Sequence, residues 1–246
     1  MKDTWLKMLL DTSIEKGQPL WDTPRQYFRM SSVGDPCGRS LALDMLGHRV
    51  PFDARTLRIF ATGNAIESVI IKTIEDAGTL ISQQGELEYM LPEDKPFIKG
   101  HYDAIIQGFD KEYLLEIKSI NEFSFAKLPF EHTATMAGDS PLMTKYPKYI
   151  HQWNTYAGST HTPNEGMILF EAKNSQKHKM YYLKHDQLLM ADLFYRLEEI
   201  HKLAIVGMIP ALPRDHGDCR NYLCIKLPPE EINIDAVMKI DGELRG

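Results

Sequence analysis

The sequence is short of cysteine, of long apolar runs and of positive charge. It holds three cysteines in 246 residues, an odd number that argues against a disulfide framework and for a reducing compartment with free or metal-bound thiols. No uncharged apolar stretch reaches about 18 residues, so no membrane span is expected. The first residues, MKDTWLKMLLDTSIEKG, carry only a brief apolar run broken by charge, unlike a secretory leader. Low-complexity tracts and internal repeats are missing, and so is Gly-x4-Gly-Lys-Ser/Thr, the mark of a nucleotide-driven motor. The expectation is an intracellular, cytoplasmic protein with no membrane partner.

What is there is an ordinary globular composition, 43% hydrophobic and 25% charged, on a chain long enough to bury a sizeable core. No composition shift marks a boundary, so residues 1–246 are expected to form one domain, with a core over about 58–185. The net charge of -6 opposes nonspecific attraction to nucleic acid, but the charge is uneven. From Arg25 to Arg58 six arginines face three aspartates, and from Met143 to Lys184 six lysines face two glutamates. Such faces suit phosphate binding while acidic residues elsewhere hold metal. Ordinary solvated charge fits the same counts.

Apolar periodicity predicts helices over 37–47, 58–78, 149–158 and from Asp186, an N-cap, to Val206, with Gly47 and Gly78 as stops. Strands are expected at 79–91, in the hairpin of GHYDAIIQGFDKEYLLEIKS (100–119), at 165–174 and at 177–184. This order implies a mixed α/β domain with a central sheet.

The hairpin carries charge inside apolar strands: Asp103 at the head of one, Glu116 and Lys118 within the other. A two-residue turn at Asp110-Lys111 sets Asp103 opposite Lys118, with Glu116 diagonal to it. A four-residue loop over 108–111 sets Asp103 directly opposite Glu116. Either even loop gathers all three on one face, and an odd loop scatters them. Carboxylates about 5–7 Å apart on neighbouring strands repel unless a cation lies between them. Mg²⁺ or Mn²⁺ accepts such oxygen ligands, and a lysine beside a metal-bound water could orient or deprotonate it if its own pKa were lowered. An exposed strand face with a Glu–Lys pair satisfies the same spacing.

Asp103 followed by Glu116-Ile117-Lys118 resembles the Asp…Glu-x-Lys core of the PD-(D/E)XK nuclease superfamily. GNAIE (63–67) is similar to the Gly-x-x-x-His/Glu motif of its RecB-type branch, and GHYD (100–103) to its Gly-x-x-Asp. QWNTY (152–156) resembles the Gln-x-x-x-Tyr motif, and FEAKN (170–174) the strand after the catalytic hairpin. In order and spacing the series spans about residues 37 to 224. The resemblance implies a restriction-endonuclease-like mixed central sheet flanked by helices. It also implies one or two Mg²⁺ or Mn²⁺ ions held by Asp103, Glu116, the Ile117 carbonyl and Glu67, with Lys118 positioning or activating a water. Gln152 and Tyr156, i and i+4 on one helix face, would serve catalysis or bind a DNA phosphate. Arg39 and Lys173 would contact the DNA backbone.

Relatives similar to the helicase-nuclease AddB or the CRISPR adaptation nucleases carry a 4Fe–4S cluster on one cysteine before the core and three after it. Cys37, Cys219 and Cys224 match that layout, but His216 stands where the first trailing cysteine belongs. A Cys₃His set could hold Zn²⁺ or an unusual cluster and clamp the tail to the N-terminal segment. Buried cysteines with no metal remain the alternative. The activity implied is a metal-dependent exonuclease acting on DNA ends in recombination, repair or replication, similar to phage-encoded enzymes. An endonuclease or nickase, a CRISPR-spacer-trimming enzyme, and a catalytically silent DNA-binding relative are the alternatives. Beyond DNA, a single-strand annealing or replication protein and further copies of the chain are candidate partners.

Overall fold

The computed structural model describes residues 4–18, 24–48, 50–92, 95–131, 134–206 and 208. In chain order it contains α1 (Trp5–Lys16), β1 (Phe28–Arg29), α2 (Gly38–Met45), α3 (Ala54–Asp76), β2 (Leu80–Gln83), β3 (Glu86–Met90), β4 (Pro96–His101), β5 (Ala104–Gln107) and β6 (Glu112–Ile120). There follow α4 (Glu122–Ala126), β7 (Thr135–Met136), a 3₁₀ turn (Ala137–Asp139), α5 (Leu142–Lys145), α6 (Pro147–Ala157), β8 (Glu165–Ala172), β9 (His178–Lys184) and α7 (Gln187–Ile205). Among the described residues no helix is long and apolar enough to cross a membrane.

Local chemistry accounts for the helix ends. The Asp53 carboxylate accepts from Thr56 N at 2.7 Å, so α3 begins four residues before the apolar pattern that predicts it. Asp186 accepts from the Leu188 and Leu189 amides and starts α7 where expected. Gly47 and Gly78 close their helices at φ 86° and 72°, values at which a side chain is strained.

Strands β2-β5-β6-β8-β9-β7 form a mixed six-stranded sheet, in which β6 and β8 run parallel at the centre. A central parallel pair is buried on both faces and therefore lacks simple polar alternation. One face packs on α3, with Ile70 and Ile71 against Ala104, Leu115, Ile117, Met167 and Leu169. On the other, Trp153 and Tyr156 of α6 and Leu193 and Leu197 of α7 cover Leu114, Ile168 and Phe170. At Gly166 the two central strands come so close that a Cβ would lie 1.9 Å from the Leu114 carbonyl oxygen. This central mixed sheet between helices is the restriction-endonuclease-like fold.

The stretch 79–91, expected as one strand, is two. It breaks at Gln84, which has φ 51°, and at Gly85, where any Cβ would strike the Tyr102 ring. β2 joins the main sheet, while β3 pairs with β4 in a second sheet of order β1-β4-β3. Across the break Gln84 N donates to the Asp103 carbonyl at 3.1 Å, and Tyr102 N to the Gly85 carbonyl at 3.2 Å. The short elements α4, α5 and β7 have too few residues to show a period. His216, Cys219 and Cys224 lie outside the described residues.

Candidate active site

The β5–β6 ladder decides the question of loop parity. Gln107 pairs with Glu112 and Ala104 with Leu115, so the loop is the four-residue one, and the next position places Asp103 opposite Glu116. Asp103, Glu116 and Lys118 share the face toward α6, along with Ile105 and Leu114; Leu115 and Ile117 point toward α3. Asp103 lies just before β5, and its Oδ2 accepts from the Ile117 amide at 2.7 Å. The N–H and C=O of one strand residue point to the same side. The Ile117 carbonyl therefore faces Asp103, past the end of the ladder.

Glu116 is only 1% exposed. Its Oε1 accepts from Gln152 Nε2 at 2.7 Å and from the Lys118 ammonium. Its Oε2 is buried with no hydrogen-bond partner, a state that costs about 1–3 kcal/mol. Burial first, then repulsion from Asp103, pushes the Glu116 carboxyl up to about 8 against the pull of Lys118. Burial and the Ile117 hydrogen bond act in opposite senses on Asp103, and burial wins, raising it. For Lys118, burial alone would lower the pKa, but the Glu116 and Asp103 carboxylates outweigh it and hold the ammonium above its usual range. The cation that the paired carboxylates require is, in this geometry, Lys118 itself. Beside these two carboxylates the Lys118 side chain is held as an ammonium, a hydrogen-bond donor to Glu116.

α6 reaches both members of the ion pair. Gln152 donates to Glu116 and also to the Tyr156 hydroxyl at 3.1 Å. At 4% and 2% exposure, Gln152 and Tyr156 point inward, so the structure brings them to the carboxylate and not to a surface that DNA could reach. One turn earlier, the Tyr149 ring lies 5.3 Å from Lys118 Nζ, a contact that motif reading missed although Tyr149 is at i-3 from Gln152.

Glu67, half-buried on α3, accepts from Gln84 Nε2 at 2.7 Å. Burial and then Asp103 raise its pKa, with Lys118 opposing, so it sits within electrostatic reach of the other carboxylates. Among the described residues no three His, Cys, Asp or Glu side chains are gathered tightly enough to enclose a metal alone. Gln84, not foreseen, engages Glu67 instead. The donors that do fit a hard cation are the orphan Glu116 Oε2, Asp103 and the Ile117 carbonyl, a sparse oxygen set of the kind Mg²⁺ completes with water and phosphate.

The remaining residues lie apart. Lys173 Nζ donates to the Ile59 carbonyl at 3.3 Å, tying the end of β8 to α3. Arg39 is 6% exposed in α2, a helix packed on α7, so it is buried instead of lining a DNA-contacting rim; its Nε and Nη2 have no partner. Cys37 is buried and caps α2, its Sγ accepting from Ser40 N at 3.4 Å.

No protein-family model matches the sequence. No curated protein matches it either. Solved structures do match in three dimensions. The crystal structure of SSO0001 aligns at TM-score 0.55 and 14% identity over 95% of this chain and 100% of its own. An alkaline exonuclease, LHK-Exo from Laribacter hongkongensis, aligns at 0.49 and 13% identity over 74% and 89% of the two chains. Its complex with dAMP aligns at 0.50 and 14% identity over 75% and 91%. At such identities the likeness is one of fold: the chain shares the architecture of SSO0001 and of the LHK-Exo–dAMP structure, the architecture implied by its PD-(D/E)XK resemblance.

Proposed function

We propose that the protein is a divalent-metal-dependent DNA exonuclease serving recombination, repair or replication. The observation that carries this reading is the convergence of Asp103, Glu116 and Lys118 on one buried face, with Glu116 Oε2 left without a partner. A fold neighbour that is an exonuclease and holds dAMP supports a deoxynucleotide substrate.

Asp103, Glu116 and the Ile117 carbonyl would hold Mg²⁺ or Mn²⁺, with Glu67 at the margin. When bound, such an ion lowers the pKa of a water and stabilises charge on the scissile phosphate. Lys118, kept protonated, donates to the attacking water or to a phosphate oxygen and offsets developing negative charge. Gln152 fixes the Glu116 carboxyl group, and Tyr156 fixes Gln152. Lys173 and the exposed Arg29, Arg55 and Arg58 are proposed DNA contacts that would make binding salt-dependent.

End-labelled linear DNA and closed circular DNA, incubated with Mg²⁺ or Mn²⁺, test the reading. Degradation of linear DNA alone is expected. Cutting of circles would make the enzyme an endonuclease of the same chemistry, and binding without cleavage under either metal would sink the enzymatic reading.

Because Gln152 is buried on Glu116, Gln152→Ala is expected to lower kcat about ten- to a hundredfold, the usual effect of losing a ligand-orienting partner. DNA affinity and its salt slope should stay at wild-type values in a filter-binding titration. A weakened affinity with unchanged kcat would instead make Gln152 a DNA contact.

A further inference from the structure

We propose that Tyr149 is a positioning residue for Lys118, its ring face holding the ammonium beside Glu116. The catalytic consequence rests on the nuclease reading above; the contact itself rests on geometry. Lys118 carries a flexible stem that one hydrogen bond to Glu116 does not orient. Its Nζ lies 5.3 Å from the centroid of the Tyr149 ring, within the range at which a cation is attracted to an aromatic face.

The ring is itself immobilised. Tyr149 stacks on Tyr146 at 5.7 Å with an interplanar angle of 7°. Both rings lean on Phe170, at 5.9 and 5.8 Å, and Phe170 is the β8 residue paired in register with Lys118. The Tyr146 hydroxyl donates to the Ser124 carbonyl at 3.3 Å, which ties the stack to α4. One turn of α6 thus delivers Gln152 to the carboxyl group and Tyr149 to the ammonium, so a single rigid helix sets how both partners of the ion pair are aimed. The contact uses the π face, so the hydroxyl is dispensable and electron density in the ring is not.

Tyr149→Phe is therefore expected to cleave DNA within about twofold of wild type, whereas Tyr149→Leu loses roughly three- to thirtyfold in kcat with KM little changed. Phenylalanines bearing one, two and three fluorines at position 149 keep the ring's shape while draining its face. Log kcat should fall stepwise along that series, and a flat series would reduce Tyr149 to packing and overturn the proposal. Lysine labelled with ¹³C at Cε supplies a readout independent of cleavage. The Lys118 signal, identified by its loss in Lys118→Arg, should be shifted upfield by the ring current in wild type and Tyr149→Phe, and return to the bulk position in Tyr149→Leu. No upfield shift in the wild type would refute the contact. Failure of the wild type to cleave under any metal would instead refute the nuclease reading, and the positioning role with it, whatever the NMR signal shows.

Discussion

Replacing Lys118 with methionine is expected to abolish cleavage and to make stability fall with rising pH. Methionine keeps the apolar stem but removes the charge that neutralises Glu116, a side chain 1% exposed. Leaving one charge of a buried pair behind costs about 3–5 kcal/mol. The carboxyl group escapes part of that by taking up a proton. It already sits at about 8 instead of its ordinary 4.5, with Lys118 among the groups pulling it down, so removing Lys118 moves it higher still. A carboxyl group whose folded pKa exceeds its unfolded one contributes fully below the unfolded value and loses that contribution as pH climbs through the folded value. Lys118→Met should therefore run parallel to wild type in urea denaturation up to about pH 8, the folded value in wild type, and fall progressively behind only above it. Cleavage should drop by about 10²- to 10⁴-fold, the range for loss of a positioned proton donor. Wild-type activity in this variant would remove Lys118 from the mechanism, and a pH-independent stability gap would mean that Glu116 is not the group left behind.

Divalent metal is expected to bind more tightly as pH rises, releasing a proton as it does. The Glu116 carboxyl is pushed up to about 8 by burial and by Asp103, and coordination requires its anion, so metal and proton compete for it. Observed affinity for Mn²⁺ should rise by up to about tenfold per pH unit below that value and level off above it. Calorimetry in two buffers of different ionisation enthalpy measures the released proton directly. Glu116→Gln should abolish proton release and weaken binding. A pH-independent affinity between about pH 6 and 8 would show that Glu116 is not a ligand.

The site was legible in the sequence through parity and local chemistry. Period-two alternation placed Asp103, Glu116 and Lys118 on one face for either even loop, and the observed register is the four-residue alternative. Asp186 and Gly78 marked helix ends because capping is a contact within a few residues. Matters that depend on what lies across the sheet were not legible. The i, i+4 spacing of Gln152 and Tyr156 puts them on one side of α6 but does not say that this side faces Glu116, and an exposed pair has identical spacing. Tyr149 escaped notice for the same reason, since its partner is 31 positions away on another element. The split of 79–91 between two sheets turns on one backbone angle at Gln84 and one ring at Tyr102, neither of which interrupts the apolar pattern. Lys118 had the right identity, but its protonation depends on two carboxylates whose distance only the fold sets.

The two crossings between sheets, at Gln84-Gly85 and Tyr102-Asp103, hydrogen-bond to each other. Asp103 belongs to neither sheet; it is the hinge pin where β4 hands the chain to β5. Glu116, by contrast, is anchored mid-strand at the centre of the larger sheet. The Ile117 hydrogen bond and the adjoining Ala104–Leu115 pair nevertheless fix Asp103 against β6, so the β5–β6 hairpin itself brings the two carboxylates together. Closing one hairpin therefore assembles both carboxylates, and the crossing at Gln84 brings Glu67 to their margin through its hydrogen bond.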